Sequence, residues 1–150
     1  MKKLLFLSTI ALALLVVSCK PKAELIVGKW SVSECSITNL EELKSKSMTG
    51  VPDSLIEEYK GRMEGQIKTF LEDAKKEVYS FEKDSFDINR HGKSELGSWK
   101  MSSDNKMLFL ILNENPTVEA LNIIGLTPKE VKFSKKISPE SAVVYILKKD

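Results

Sequence analysis

Past residue 76 the chain reads as short runs in which apolar and polar positions change places, broken at close intervals by turn residues. Tyr79 and Phe81 alternate with Ser80, and Phe86 and Ile88 alternate with Asp87, the period-two pattern of a half-buried strand. Lys83-Asp84, Arg90-His91-Gly92-Lys93, Asp104-Asn105, 113–116, Thr127-Pro128-Lys129-Glu130 and Ser138-Pro139-Glu140 are turn signals. They divide the chain into predicted strands at 78–82, 85–89, 94–102, 107–112, 118–124, 131–135 and 142–147. Residues 25–37 add a long first strand, in which the pattern calls for a bulge before Ile37.

Between the first strand and the rest the period changes. Leu55, Ile56, Tyr59, Met63, Ile67, Phe70, Leu71 and Ala74 recur at helical spacing, opposite Glu57, Glu64, Lys68, Glu72 and Lys75. Ser54 and Glu57 have the spacing of a capping box. Gly61 and Gly65 lie on the polar face and predict a kink or a split there. One helix followed by closely spaced strands argues for an antiparallel meander, and eight strands in that order close most simply into an up-and-down barrel. The fold class expected is mainly β, an eight-stranded antiparallel barrel with one amphipathic helical segment between strands one and two. The runs 107–112 and 142–147 are apolar on both faces, so their outer sides need a cover, for which the helix is the cheapest candidate, with a lid at the mouth as its other role.

The first 18 residues follow a different rule. Lys2 and Lys3 precede an almost wholly apolar stretch at 4–17, and small Ser18 stands before Cys19, the layout of a secretory signal. The apolar stretch is too short for a comfortable membrane span. Val16-Val17-Ser18-Cys19 resembles the bacterial lipobox, which implies cleavage before Cys19, lipidation of Cys19 and a membrane partner reached through its acyl chains. The expected layout is a signal peptide at 1–18, a lipidated cysteine and short tether at 19–24, and a barrel domain at 25–150. By resemblance to Gram-negative sorting, Lys20 rather than aspartate at the second mature position implies the outer membrane. The absence of an acidic run after Cys19 implies its periplasmic side, with the cell surface as the other destination.

Charge removes one class of partner. The chain has 23 basic and 21 acidic residues and a net charge of +2. Loss of Lys2 and Lys3 with the signal leaves 21 of each sign, a neutral domain with no footprint for nucleic acid. Cys35 is then the only other cysteine. It reads as a small half-buried strand residue, with intermolecular pairing or metal binding as the other uses of an unpaired thiol. His91, the single histidine, falls in a turn. No zinc-ligand spacing, P-loop, Gly-x-Ser-x-Gly or dinucleotide turn occurs, so no catalytic residue, metal or cofactor is expected and the chain reads as a non-enzyme.

Two Gly-x-Trp units remain, Gly28-Lys29-Trp30 and Gly97-Ser98-Trp99. Together with Tyr79-Ser80-Phe81-Glu82-Lys83-Asp84-Ser85-Phe86, they make the chain from residue 25 onward similar to the calycin superfamily, and specifically to the lipocalin-like lipoproteins of Bacteroidota. The resemblance implies that Gly28 and Trp30 form the barrel floor. It also implies a small apolar or amphiphilic ligand among inward side chains of Tyr79, Phe81, Phe86, Trp99, Phe109 and Phe133. The alternative is a filled barrel that engages another envelope component through its surface. Typical lipocalins add a Thr-Asp-Tyr motif, a C-terminal helix and an arginine near the end that packs on the tryptophan. None of these is in place here, where the only arginines are Arg62 and Arg90. The inserted helix is closer to fatty-acid-binding proteins, but their arginine–tyrosine grip on a carboxylate has no evident counterpart.

Overall fold

The computed structural model describes residues 21–150. The expected signal peptide and lipidation site, with Lys20, lie outside the described residues. A short helix α1 (Lys22–Ile26) leads into β1 (Gly28–Ile37). Helix α2 (Leu40–Ser47), a 3-10 turn (Asp53–Leu55) and helix α3 (Ile56–Ala74) follow. Then come β2 (Val78–Phe81), β3 (Ser85–Arg90), β4 (Lys93–Met101), β5 (Met107–Leu112), β6 (Val118–Leu126), β7 (Glu130–Lys136) and β8 (Ala142–Lys149). Each strand pairs antiparallel with the next, and β8 returns to β1, so the sheet closes into an eight-stranded barrel. All eight expected strands are present, displaced by at most three residues at any end.

Closure fixes which side chains point inward. Trp30 is opposite Tyr79, Tyr79 opposite Ile88, Phe81 opposite Phe86, and Phe133 opposite Tyr145, all of them buried. In β1 the register slips between Val32 and Glu34. That bulge moves Cys35 and Ile37 onto the inner face, where both pack against the core, and it satisfies the pattern that called for one before Ile37. The β3–β4 hairpin turns on His91 (φ +52°) and Gly92 (φ +77°), the paired positive angles of a tight two-residue turn, with His91 exposed.

Three expectations need correction. Leu25 and Ile26 belong to α1, not to the first strand, and residues 22–24 are helical rather than a free tether. Ile26 is fully buried and plugs the barrel end from below. Helix α3 runs unbroken from Ile56 to Ala74 through Gly61 and Gly65, and Ser54 makes no side-chain cap. A one-residue cost of about 1 kcal/mol per glycine does not divide a helix nineteen residues long. Last, α3 does not buttress the outside of β5. It meets the barrel chiefly at β1, and of its apolar stripe only Ala74 is buried. The outer residues of β5, Met107, Phe109 and Ile111, are half-buried without it.

Candidate functional site

The strands run alternately up and down, so the barrel has two distinct ends. The floor carries the start of β1 and the β2–β3, β4–β5 and β6–β7 turns. The mouth carries the end of β1, α2 and α3, the start of β2, and the other three turns.

The floor is apolar. Trp30 is fully buried, and its indole Nε1 donates to the carbonyl of Ile26 at 2.7 Å. Trp99 does the same from β4, with Nε1 2.8 Å from the carbonyl of Glu82. Each large ring thus buries its area and keeps its one donor satisfied by backbone. The two glycines make this packing possible for different reasons. At Gly28 the angle φ is +133°, a region closed to most side chains, and a Cβ there would strike the Lys149 side chain. Lys149 crosses that space to place Nζ 5.0 Å from the centre of the Trp30 ring and 2.6 Å from the carbonyl of Val27. A Cβ at Gly97 would lie 2.7 Å from the Phe86 ring and closer still to the Ile111 carbonyl, so that ring lies across a bare backbone. The aromatic side chains then touch in series: Phe81 meets Trp99 edge-on with centroids 5.9 Å apart, and Tyr79 meets both Phe81 and Phe133 at 6.3 Å.

Of the aromatic residues expected to point inward, Tyr79, Phe81, Phe86, Trp99 and Phe133 do so and are buried, as is Trp30. Phe109 does not. Leu108 and Leu110 hold the inner positions of β5, and the strand's alternation puts Phe109 outside between Lys100 and Ala120. An apolar run on both faces concealed the parity. Leu121, Leu147 and Val131 complete a continuous cluster with these rings. In the lower barrel these side chains pack into one cluster.

Toward the mouth the interior becomes ionic. Arg90, at the end of β3, points inward with 17% of its side chain exposed. Its guanidinium contacts Glu77 at 3.4 Å, Glu95 at 2.7 Å and Glu119 at 3.1 Å, and lies 5.8 Å from the centre of the Tyr79 ring. Lys135 reaches Glu119 at 2.9 Å, and the Tyr79 hydroxyl donates to Glu77 at 2.8 Å. Burial opposes the Arg90 charge, but the oxygens of Tyr79 and Glu119 overcome it and raise the pKa. Burial likewise pushes the Glu119 carboxyl up, and Arg90 and Lys135 more than reverse it, leaving the pKa below its ordinary value. Desolvation, with Glu77 nearby, pushes the Cys35 thiol up to about 11. Burial raises Tyr79 and Tyr145 as well. Three carboxylates saturate Arg90, so the Arg90–Tyr79 pair is not a free grip for a ligand carboxylate.

This cluster was missed from sequence, as was Lys149. The signal was parity: Glu95 is two residues before Gly97, and Glu119 two before Leu121, which places both on inner faces.

Beyond the mouth, α2 and α3 fold back on one another as an arm, with Lys44 3.7 Å from Glu64. Leu40, Ile67 and Leu71 line a cleft of about 370 Å³ between them, edged by Lys44, Lys68 and Lys75 and by Glu64 and Glu72. On the arm Leu55, Tyr59 and Phe70 remain exposed.

No family model matches the chain, and no curated protein does. Among solved structures, it is similar to a DUF4847 family protein from Bacteroides vulgatus ATCC 8482, at 12% identity and a TM-score of 0.44, over 81% of this chain and 92% of that one.

Proposed function

We propose that the chain is a lipid-anchored, calycin-like protein of the bacterial envelope, without catalytic activity, that engages another envelope component through the α2–α3 arm. The observation that carries this reading is the contrast between a barrel packed with its own aromatic side chains and an arm that leaves Leu55, Tyr59 and Phe70 exposed. A binding pocket needs empty volume, and the lower barrel spends its volume on its own core. Leu55, Tyr59 and Phe70 together give the arm an apolar surface of the kind that contacts a partner.

The calycin reading gains support from Lys149. A basic residue near the chain end lies over Trp30, the place where lipocalins resemble one another in carrying an arginine. The lipobox at Cys19 supports the anchor, and the position of α1 beneath the floor supports an orientation. Acyl chains on Cys19 would hold the floor toward the bilayer and turn the arm away from it, toward the periplasm in an outer-membrane protein.

A second reading has its own observation. The arm cleft is apolar at its base, and Lys44 and Lys68 at its edge pair with Glu64 and Glu72, which leaves Lys75 to meet the anionic head of a small amphiphile. That places the amphiphile outside the barrel, not among the aromatic residues of its interior.

Changing Cys19 to alanine is expected to move the protein out of the membrane fraction. A photo-reactive residue in place of Tyr59, in cells, is expected to give one discrete protein adduct that a Phe70→Ser change removes. An adduct of lipid mass would favour the second reading, and no adduct from any arm position would count against both.

A further inference from the structure

One seam of the barrel is open. Strand β6 pairs with β5 from Val118 to Asn122, but its ladder with β7 begins only at Asn122, opposite Ser134. Above that point residues 118–121 of β6 have no ladder partner in β7, although β7 continues to Lys136. A cavity of about 530 Å³ occupies the notch, lined by Leu112, Thr117, Val118, Glu119, Ala120, Lys135 and Lys136.

Hydrogen bonding nearby shows which backbone groups face it. The Ile123 N–H donates to the carbonyl of Lys106, and the Thr117 carbonyl accepts from Leu112, so odd-numbered residues of β6 direct their backbone groups toward β5. By alternation Val118 and Ala120 direct theirs into the notch. Across it, Ile137 N–H donates to Ser141 on the β8 side, which turns the backbone groups of Lys136 toward the notch as well. Backbone donors and acceptors of this kind require partners, and an edge that presents them in a row is a template for another strand.

We propose that this notch takes up a short extended segment of a partner protein, which adds a strand along β6. Charge selects among segments. Glu119 is already held by Arg90 and Lys135, whereas Lys136 is exposed at the rim, so the notch favours an acidic side chain. Val118, 59% exposed, lines it on the same outward face as Lys136, and Ile137, 46% exposed, follows Lys136 on the inward face, where an apolar neighbour suits it. Main-chain hydrogen bonds would supply affinity and these side chains the preference, the mode of strand addition. The notch is separate from the arm, and its occupancy does not depend on the reading of the arm given above.

The test uses the full-length chain in detergent, with an acetylated hexapeptide alternating valine and glutamate and a second alternating valine and lysine. Amide exchange by NMR is expected to show Val118, Ala120 and Lys136 unprotected in the free chain and protected by the acidic peptide. The lysine peptide should bind about tenfold or more weakly, from the cost of placing like charges together. Ala120→Pro removes one donor that faces the notch and none that faces β5, a substitution that edge strands tolerate, and should abolish binding while the remaining barrel amides keep their protection. Lys136→Glu should invert the preference between peptides, and Tyr59→Ser on the arm should leave binding unchanged. Protection of Ala120 and Lys136 in the free chain at low concentration would mean the seam is already closed. Protection that grows with chain concentration alone would make a second copy the occupant. Either result, or no binding of the acidic peptide at millimolar concentration, overturns the proposal.

Discussion

At the floor, Phe81 meets Trp99 edge-on, Trp30 is buried in the same core cluster, and the polar groups of these rings, two indole N–H groups, donate to backbone carbonyls. At the mouth, Arg90 is held among Glu77, Glu95 and Glu119, with Lys135 closing the network, while the β6–β7 seam opens and the arm rises. The same eight strands thus end in a dry plug on one side and an ion network on the other. A plug of rings gains from every atom buried and needs little partner geometry. A buried ion network adds little net stability and holds only while every charge keeps its partner. The floor is therefore the part that keeps the barrel folded. The mouth is the part where the chain accepts an open seam and desolvated charge.

Substitutions at the two ends should separate these contributions. Trp30→Ala should be the most damaging, costing about 3–5 kcal/mol in urea unfolding because it leaves a ring-sized void between Ile26 and Tyr79. Arg90→Met should cost about 3 kcal/mol through a different cause, the carboxylates it leaves buried and unpaired. The causes are distinguishable. Adding Glu77→Gln and Glu119→Gln to Arg90→Met should restore much of the loss, whereas no charge change at the mouth should rescue Trp30→Ala.

The pH dependence of the barrel interior belongs to the mouth. Because the folded-state pKa of Glu119 lies below the ordinary glutamate value of 4.5, its contribution is present above that pH and is lost as pH falls through the lowered value. Acid unfolding of the natural chain should therefore steepen below about pH 4.5, and the Arg90→Met chain should lack that component. At the alkaline end, a Cys35 pKa near 11 instead of 9.0 keeps the thiol neutral. Alkylation of the folded chain at pH 8 should run about a hundredfold slower than in urea, in proportion to the thiolate fraction. The smallest effect returns to the floor, where Lys149→Met should cost about 1 kcal/mol, the size of one cation–π contact near the surface.

The floor was legible in the sequence because its parts are local. Gly28 and Trp30 are two residues apart, Gly97 and Trp99 likewise, and strand alternation around Tyr79, Phe81 and Phe86 placed those rings without knowledge of their neighbours. The barrel itself followed from turn spacing. The mouth was not legible, because Glu77, Arg90, Glu95, Glu119 and Lys135 come from five separate places in the chain and meet only when the sheet closes. Phe109 was misplaced since Met107 to Leu112 offers no polar residue to set the parity. The role of α3 was misjudged for a related reason: a helical stripe shows that one face is apolar, not that the fold covers it. Tyr59 and Phe70 on this arm stay in the open.

The central claim is that this barrel is a filled scaffold whose binding surfaces lie at its mouth. Mass spectrometry under non-denaturing conditions, on the chain extracted from its own membranes in mild detergent, tests it directly. The claim predicts the mass of the polypeptide with its acyl chains, and no stoichiometric small molecule that survives Tyr59→Ser together with Phe70→Ser. One bound amphiphile per chain that persists in that double variant, and is lost on substitution of Phe133, would place a ligand inside the barrel and contradict the claim.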